Sequence, residues 1–224
     1  MAYKELDVQK TVATIHLLQT RILERFPNSG LGAVCKELHQ LASNSTDKIA
    51  KIKRPNYYLR IGTAVFILVL VLTLIYSLSV IDYSFQSFTL ADLVTISEAT
   101  INDIVLIGAA IFFLFSIETR INRRTALASL RELRSIAHVI DMHQLTKYPG
   151  RIKEWNTESS PKLTLSPYEL TRYLDYCSEM LAMTGKVAAL YADASSDAVV
   201  ISTINEVESL TTGLSRKVWQ KIMI

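Results

Sequence analysis

From Ile61 to Ile81 the chain carries no charged side chain, and the centre of the run reads VFILVLVLTLIYSLSVI. As a helix rising about 1.5 Å per residue it is about 31 Å long, the thickness of a bilayer's hydrocarbon core. The run is apolar on every side, so it has no polar stripe to turn to water, and a soluble core helix is a poor reading of it. A cleaved signal peptide is not expected either, because the residues before it already carry helical pattern.

A second uncharged run, IVLIGAAIFFLFSI, lies between Asp103 and Glu118. Its about 21 Å of helix is short for a span. Ile101 and Asn102 extend it outward, and Asp103 and Glu118 can sit in the headgroup layers. A lone span would also leave the two basic flanks on opposite sides. The expectation is therefore two spans, 60–82 and 100–118, joined by an external loop 83–99.

The flanking charges set the orientation. Residues 82–103 hold Asp82, Asp92, Glu98 and Asp103 with no Lys or Arg. Lys48, Lys51, Lys53, Arg54 and Arg60 precede the first span, and Arg120, Arg123, Arg124, Arg131 and Arg134 follow the second. The expectation is a protein of the bacterial inner (plasma) membrane with both termini cytoplasmic. Arg54, Arg60, Arg120, Arg123 and Arg124 are expected to face headgroups. Arginines held at a membrane surface are poor candidates for nucleic-acid binding. Cys35 and Cys177 then face a reducing compartment and stay free.

Outside the spans the periodicity is helical. Val8, Val12, Ile15, Leu18, Ile22 and Phe26 recur every three to four residues, and Pro27-Asn28-Ser29-Gly30 ends that helix. Val34, Leu38, Leu41, Ile49 and Ile52 mark a second. No Gly or Pro interrupts the chain between Gly108 and Pro149, so the second span can continue as one long helix to about Lys147. Ala126, Leu130, Leu133, Ala137 and Ile140 form a heptad seam along it. That seam fits a coiled coil with another copy as well as a core face against the N-terminal helices. Residues 148–165 read as a loop, and Ser166-Pro167-Tyr168-Glu169 as a capping box opening the next helix. Another helix follows Ser195-Ser196-Asp197. No alternating strand pattern is present.

The fold class expected is an all-α membrane protein: a two-helix transmembrane hairpin with helical cytoplasmic N- and C-terminal parts. Residues 1–58 are a cytoplasmic helix pair, 59–118 the hairpin, and 119–224 a cytoplasmic helical domain continuing the second span.

Chemistry is sparse. There is no GxSxG elbow, no Walker A lysine and no HExxH, and the two cysteines lack a CxxC spacing. Gly30-x-Gly32 sits between helices rather than after a strand, so a dinucleotide site is not indicated. The expectation is a non-enzyme without cofactor or metal. Three groups stand out. Glu98, Asn102 and Asp103 lie at the outer mouth of the second span and would form acidic rings in an oligomer. Gly108, Ala109 and Ala110 are a small-residue patch that permits close helix contact. His138, Asp141 and His143 form a polar cluster late in the long helix, with at most two of them on one face.

The blocks Arg25–Leu31, Ile136–Lys147 and Gly213–Trp219 resemble those of a bacterial inner-membrane protein family without an assigned activity. The resemblance covers most of the chain and implies no catalytic residues. In architecture alone the chain is similar to two-span effectors of bacterial defence systems. In these a helical cytoplasmic part senses and a membrane hairpin disturbs the bilayer. The expected function is a self-associating membrane protein acting through its hairpin, as an ion channel or membrane-perturbing effector. The rival is a membrane-anchored scaffold or regulator that docks a cytoplasmic protein.

Overall fold

The computed structural model describes residues 6–54, 56–80, 90–147, 158–159 and 165–223. All regular structure among them is helical, with no strand. The helices are α1 (Val8–Arg25), α2 (Gly30–Lys53), α3 (Tyr57–Val80), α4 (Leu90–Leu145), α5 (Pro167–Ala189) and α6 (Ala198–Ile222), with a short 3-10 turn at Ala192–Ala194. They fall into two units. One comprises Met1–Lys53 and Arg123–Ile224; the other is Arg54–Asn122.

The first unit owns the core. Ile15, Leu18 and Ile22 of α1 and Leu31, Cys35 and Leu38 of α2 are buried in it. They share it with Leu174, Cys177 and Leu181 of α5 and with Val200, Ile204 and Val207 of α6. The heptad seam of α4 completes this core: Ala126, Leu130, Leu133, Ala137 and Ile140 are each no more than 1% exposed. The seam is thus satisfied within one chain, because a helix core and a coiled coil ask for the same spacing and here the other helices fill it.

Local chemistry starts and stops these helices as their residue types require. Asp7 caps α1 by accepting from the Lys10 backbone N–H. Asn28 takes a positive φ of 59° in the turn before α2, a conformation asparagine tolerates. Ser29 Oγ then accepts from the Gly32 N–H at 3.2 Å. Both halves of the capping box at Ser166 and Glu169 are formed. Accepting from the Ser166 backbone N–H and hydroxyl holds the Glu169 carboxyl below the usual glutamate range. Gly185 allows α5 to lie close on α6, since a Cβ there would stand 2.8 Å from Thr211 Oγ1.

Asp197 does two tasks at the start of α6. Its Oδ1 accepts from the backbone N–H groups of Val199 and Val200, and its Oδ2 lies 2.6 Å from Arg123 Nη2. The ion pair ties α4 to α6. Arg123 therefore turns its guanidinium to a carboxylate of its own unit, a different partner from the headgroups expected of it.

The second unit holds α3 and α4 up to Asn122. Helix α4 begins at Leu90, so residues 90–99 of the expected external loop are helical. They contain neither Gly nor Pro to stop a helix from starting there. Residues 81–89, at the end of the first expected span and the start of the expected loop, lie outside the described residues. In α4 one stretch, beginning at Thr100, is long and apolar enough to cross a membrane, with a mean hydropathy of 2.1. In α3 the described apolar stretch, Arg60–Thr73, is shorter.

Arg123 lowers the Asp197 pKa first of all, with help from the capping N–H groups. A carboxylate whose folded pKa is depressed stabilises above its unfolded value, about 3.9, and that contribution is lost as pH falls through the folded value. Asp197→Ala should cost about 1–2 kcal/mol in chemical denaturation at pH 7. The gap to wild type should close as pH drops below about 4.

Candidate functional site

Two places carry side chains that the core does not explain. The first is the surface of α3 and of α4 in the second unit. Val65, Phe66, Leu68, Val69, Leu72 and Ile75 are all more than 45% exposed, as are Ile104, Val105, Leu106, Phe112 and Phe113. None of the apolar window of α4 is buried inside the protein. A core helix of a soluble protein would be covered, and contiguous uncovered apolar surface of this extent marks contact with lipid or another protein. The hydroxyls along it are satisfied by their own helices. Thr73 Oγ1 donates to the Val69 carbonyl at 2.9 Å, and Ser116 Oγ to the Phe112 carbonyl at 2.8 Å.

One end of this surface is tied by ions. Glu118 Oε2 lies 3.2 Å from Arg60 Nε, and its Oε1 accepts from the Asn56 backbone N–H at 3.1 Å. One carboxylate of α4 thus meets both the first turn of α3 and the residue before it. Arg54, Arg120 and Arg124 are exposed. Of the acidic trio, Glu98 and Asn102 are exposed and stand one turn apart; the side chain of Asp103 lies outside the described ones. In the small-residue patch Gly108 and Ala109 are exposed and Ala110 is half-buried. A Cβ on Gly108 would meet nothing within 4 Å. Close contact between α3 and α4 therefore does not account for this glycine.

The second place is the far end of α4, where the cluster His138, Asp141 and His143 does not converge. His138 is exposed. Asp141 takes a hydrogen bond from the Gln144 side-chain amide. His143 turns the other way, with its Nδ1 3.5 Å from the Tyr173 hydroxyl. It also lies over the start of α2, where a Cβ on Gly30 would stand 2.7 Å from its Cε1. Gly30 is thus needed for close approach, not for a phosphate. Phe26, Ser29, Met142, Lys147 and Leu165 complete an open cleft of about 390 Å³ around these residues. Burial pushes the Tyr173 hydroxyl well above its usual value, so it stays a phenol, and the Lys147 ammonium lies 5.5 Å from its ring centre. Of the three, His143 meets α5 and the start of α2, Asp141 is hydrogen-bonded within α4, and His138 is exposed.

Lys221 finishes the same corner. Its Nζ donates to the carbonyls of Gln144 at 2.8 Å and Leu145 at 3.4 Å in the last turn of α4; the Gln144 carbonyl also accepts from the Lys147 backbone N–H. A cation there also meets the negative end of the helix dipole. Burial lowers the Lys221 pKa, and Asp141 opposes that shift.

Both thiols are free and buried, and desolvation pushes each up to about 12. Burial thus favours the neutral thiol in each. Among the described residues no group of three or more His, Cys, Asp or Glu could hold a metal. One pair escaped the sequence reading: His16 of α1 and His39 of α2 have ring centroids 5.2 Å apart. Each is a lone histidine on the rim of an amphipathic helix, and only the packing of α1 on α2 sets their register. No family model, no curated protein and no solved structure matches the chain.

Lys221→Met keeps the aliphatic stem and removes the cap. It should speed amide hydrogen exchange in the last turn of α4 and cost about 1 kcal/mol of stability, while exchange in α1 and α2 stays unchanged.

Proposed function

We propose that this chain is an integral membrane protein with two spans, which self-associates through its hairpin. It acts there as an ion channel or membrane-perturbing effector under the control of its helical cytoplasmic unit. The observation that carries this reading is the wholly uncovered apolar window of α4. A buried core helix and an N-terminal signal would both pass a hydropathy test. The window is neither covered nor close to the N-terminus.

The Glu118 ion pair supports a second span in α3. Two antiparallel helices tied at Arg60 and Glu118 bring Leu78 level with Thr100, about 27 Å away. That is close to the hydrocarbon thickness and leaves residues 90–99 of α4 beyond it. The internally satisfied Thr73 and Ser116 suit lipid, where no water can serve a hydroxyl. Arg60 and Arg120 lie toward one end of this unit and Glu98 toward the other, an asymmetry that supports a topology with both termini in the cytoplasm.

Self-association rests on two points. Two helices enclose no pore, so action through the bilayer needs several copies. The open face at Gly108 offers the close backbone approach that helix pairs in lipid use. In such an oligomer Glu98, Asn102 and Asp103 would repeat around an outer mouth and concentrate cations.

The scaffold reading has one feature in its favour. A cleft of about 530 Å³ between α2 and α4 has Val34, Leu41, Ile136 and Val139 along it and Glu37 and Glu132 beside them. It would take an apolar segment of a cytoplasmic protein.

Three measurements test the proposal. Cysteine placed at Ser97 should react with a membrane-impermeant maleimide on intact cells, and cysteine at Ser43 only after permeabilisation; the native thiols are too buried to interfere. Native mass spectrometry of the full chain in nanodiscs should give a ring of four or more copies, which Gly108→Leu breaks into smaller species. Vesicles holding the wild-type protein should leak cations, and Glu98→Gln combined with Asp103→Asn should cut the leak about tenfold. A monomer without leak, in a protein whose Val139→Asp variant loses a cytoplasmic partner, would establish the scaffold reading instead.

A further inference from the structure

The cleft at the far end of α4 is assembled from three separate parts of the chain. Phe26 comes from the end of α1, Met142, His143 and Lys147 from around the end of α4, and Leu165 and Tyr173 from around the start of α5. Its volume of about 390 Å³ is that of a small-molecule site. One wall is apolar, and there Phe26 stands edge-on to Tyr173 with ring centroids 5.6 Å apart.

The polar groups of the cleft have one sign. Lys147 makes no ion pair among the described residues, and none of the described residues around the cleft is a carboxylate. Burial raises the pKa of the neighbouring Cys177, and Lys221 and Lys147 oppose it, so two ammoniums face this corner. Lys221 is already held by the carbonyls of α4, which leaves Lys147 as the open cation.

The Tyr173 hydroxyl is short of an acceptor. Tyr173 is only 6% exposed, and its partner among the described residues is His143 Nδ1 at 3.5 Å. Hydroxyl hydrogen bonds ordinarily run about 2.5–3.0 Å, so this one is loose. A buried hydroxyl held so loosely costs free energy that a better acceptor would recover. A carboxylate serves both groups at once. It pairs with the ammonium and accepts from the phenol in a charge-assisted bond. A phosphate dianion would carry more charge than the one open cation neutralises, and no arginine fork lines the cleft to meet it.

We propose that this cleft binds a small organic acid, a single carboxylate on a flat apolar body. The carboxylate sits on Lys147 and Tyr173, and the body lies against Phe26, Met142 and Leu165. The bound acid braces the end of α1, the end of α4 and the start of α5 against one another. The inference concerns this helical unit alone and does not depend on whether the chain forms a pore.

The test uses the full chain in nanodiscs at pH 7 with sodium benzoate as the probe. Binding is read by saturation-transfer NMR and by thermal melting, with empty nanodiscs as the blank. Benzoate should bind saturably and raise the Tm. Lys147→Met keeps the aliphatic stem and should weaken binding about tenfold or more, and Tyr173→Phe should weaken it about threefold or more. Benzamide, the neutral isostere, should bind about tenfold more weakly or worse, and inorganic phosphate should not displace benzoate. Lys186→Met removes an exposed cation of α5 outside the cleft and should leave binding unchanged. Lys147 lies past the end of α4, so Lys147→Met decides the matter even where Tyr173→Phe perturbs packing. Absence of saturable binding, equal binding of benzamide, binding that survives Lys147→Met, displacement by phosphate, or loss in Lys186→Met would each overturn the site.

Discussion

A helix that is apolar all round at one end and apolar on one side only at the other must change its surface along its length, and α4 does so between Glu118 and Ala126. Up to Ile117 it presents Ile104, Val105, Leu106, Phe112 and Phe113 with nothing covering them. From Ala126 onward the seam is buried, while Val139, Met142 and Leu145 off the seam stay exposed. Glu118, Arg120, Arg123 and Arg124 fill the gap between the two regimes. Charged side chains can occupy that stretch because neither surface claims it. Glu118 answers Arg60 at the start of α3, and Arg123 answers Asp197 at the start of α6.

The remaining helices are arranged around that continuation. The five-helix core needs the last six turns of α4 as one wall; without them α1, α2, α5 and α6 would have a missing face. The ends are closed by polar contacts aimed at open backbone groups. Asp197 serves the first N–H groups of α6, Ser166 and Glu169 those of α5, and Lys221 the last carbonyls of α4. Each such group would otherwise cost free energy at a half-buried helix end. The surface ion pairs Arg21–Glu179 and Lys48–Glu132 are exposed and add little.

Much of this was legible because helix periodicity is a local property. Ile15, Leu18, Ile22, Leu38 and Ile140 were placed on apolar faces by spacing alone, and each is buried. The capping box at Ser166 was readable for the same reason: its partners are three residues apart. The start of α4 at Leu90 was missed because charge and hydropathy mark where a span ends, and a helix need not end there. The ion pair of Arg123 was not legible because its partner lies 74 residues on, and nothing near it in the chain announces a carboxylate. His138, Asp141 and His143 are neighbours in sequence, yet each faces a different environment.

The sequence alone determined that the chain is helical, where the uncharged runs lie, and which face of each amphipathic helix turns inward. Those properties follow from the side chains and the 3.6-residue period. Tertiary structure decided what met each face. The heptad spacing from Ala126 to Ile140 suited another copy as well as its own chain, and only the volume filled by α1, α2, α5 and α6 settled the choice. The meeting of His16 with His39, and of Lys221 with the end of α4, likewise depends on helix register. Register is set by packing between segments distant in sequence, and no local pattern encodes it.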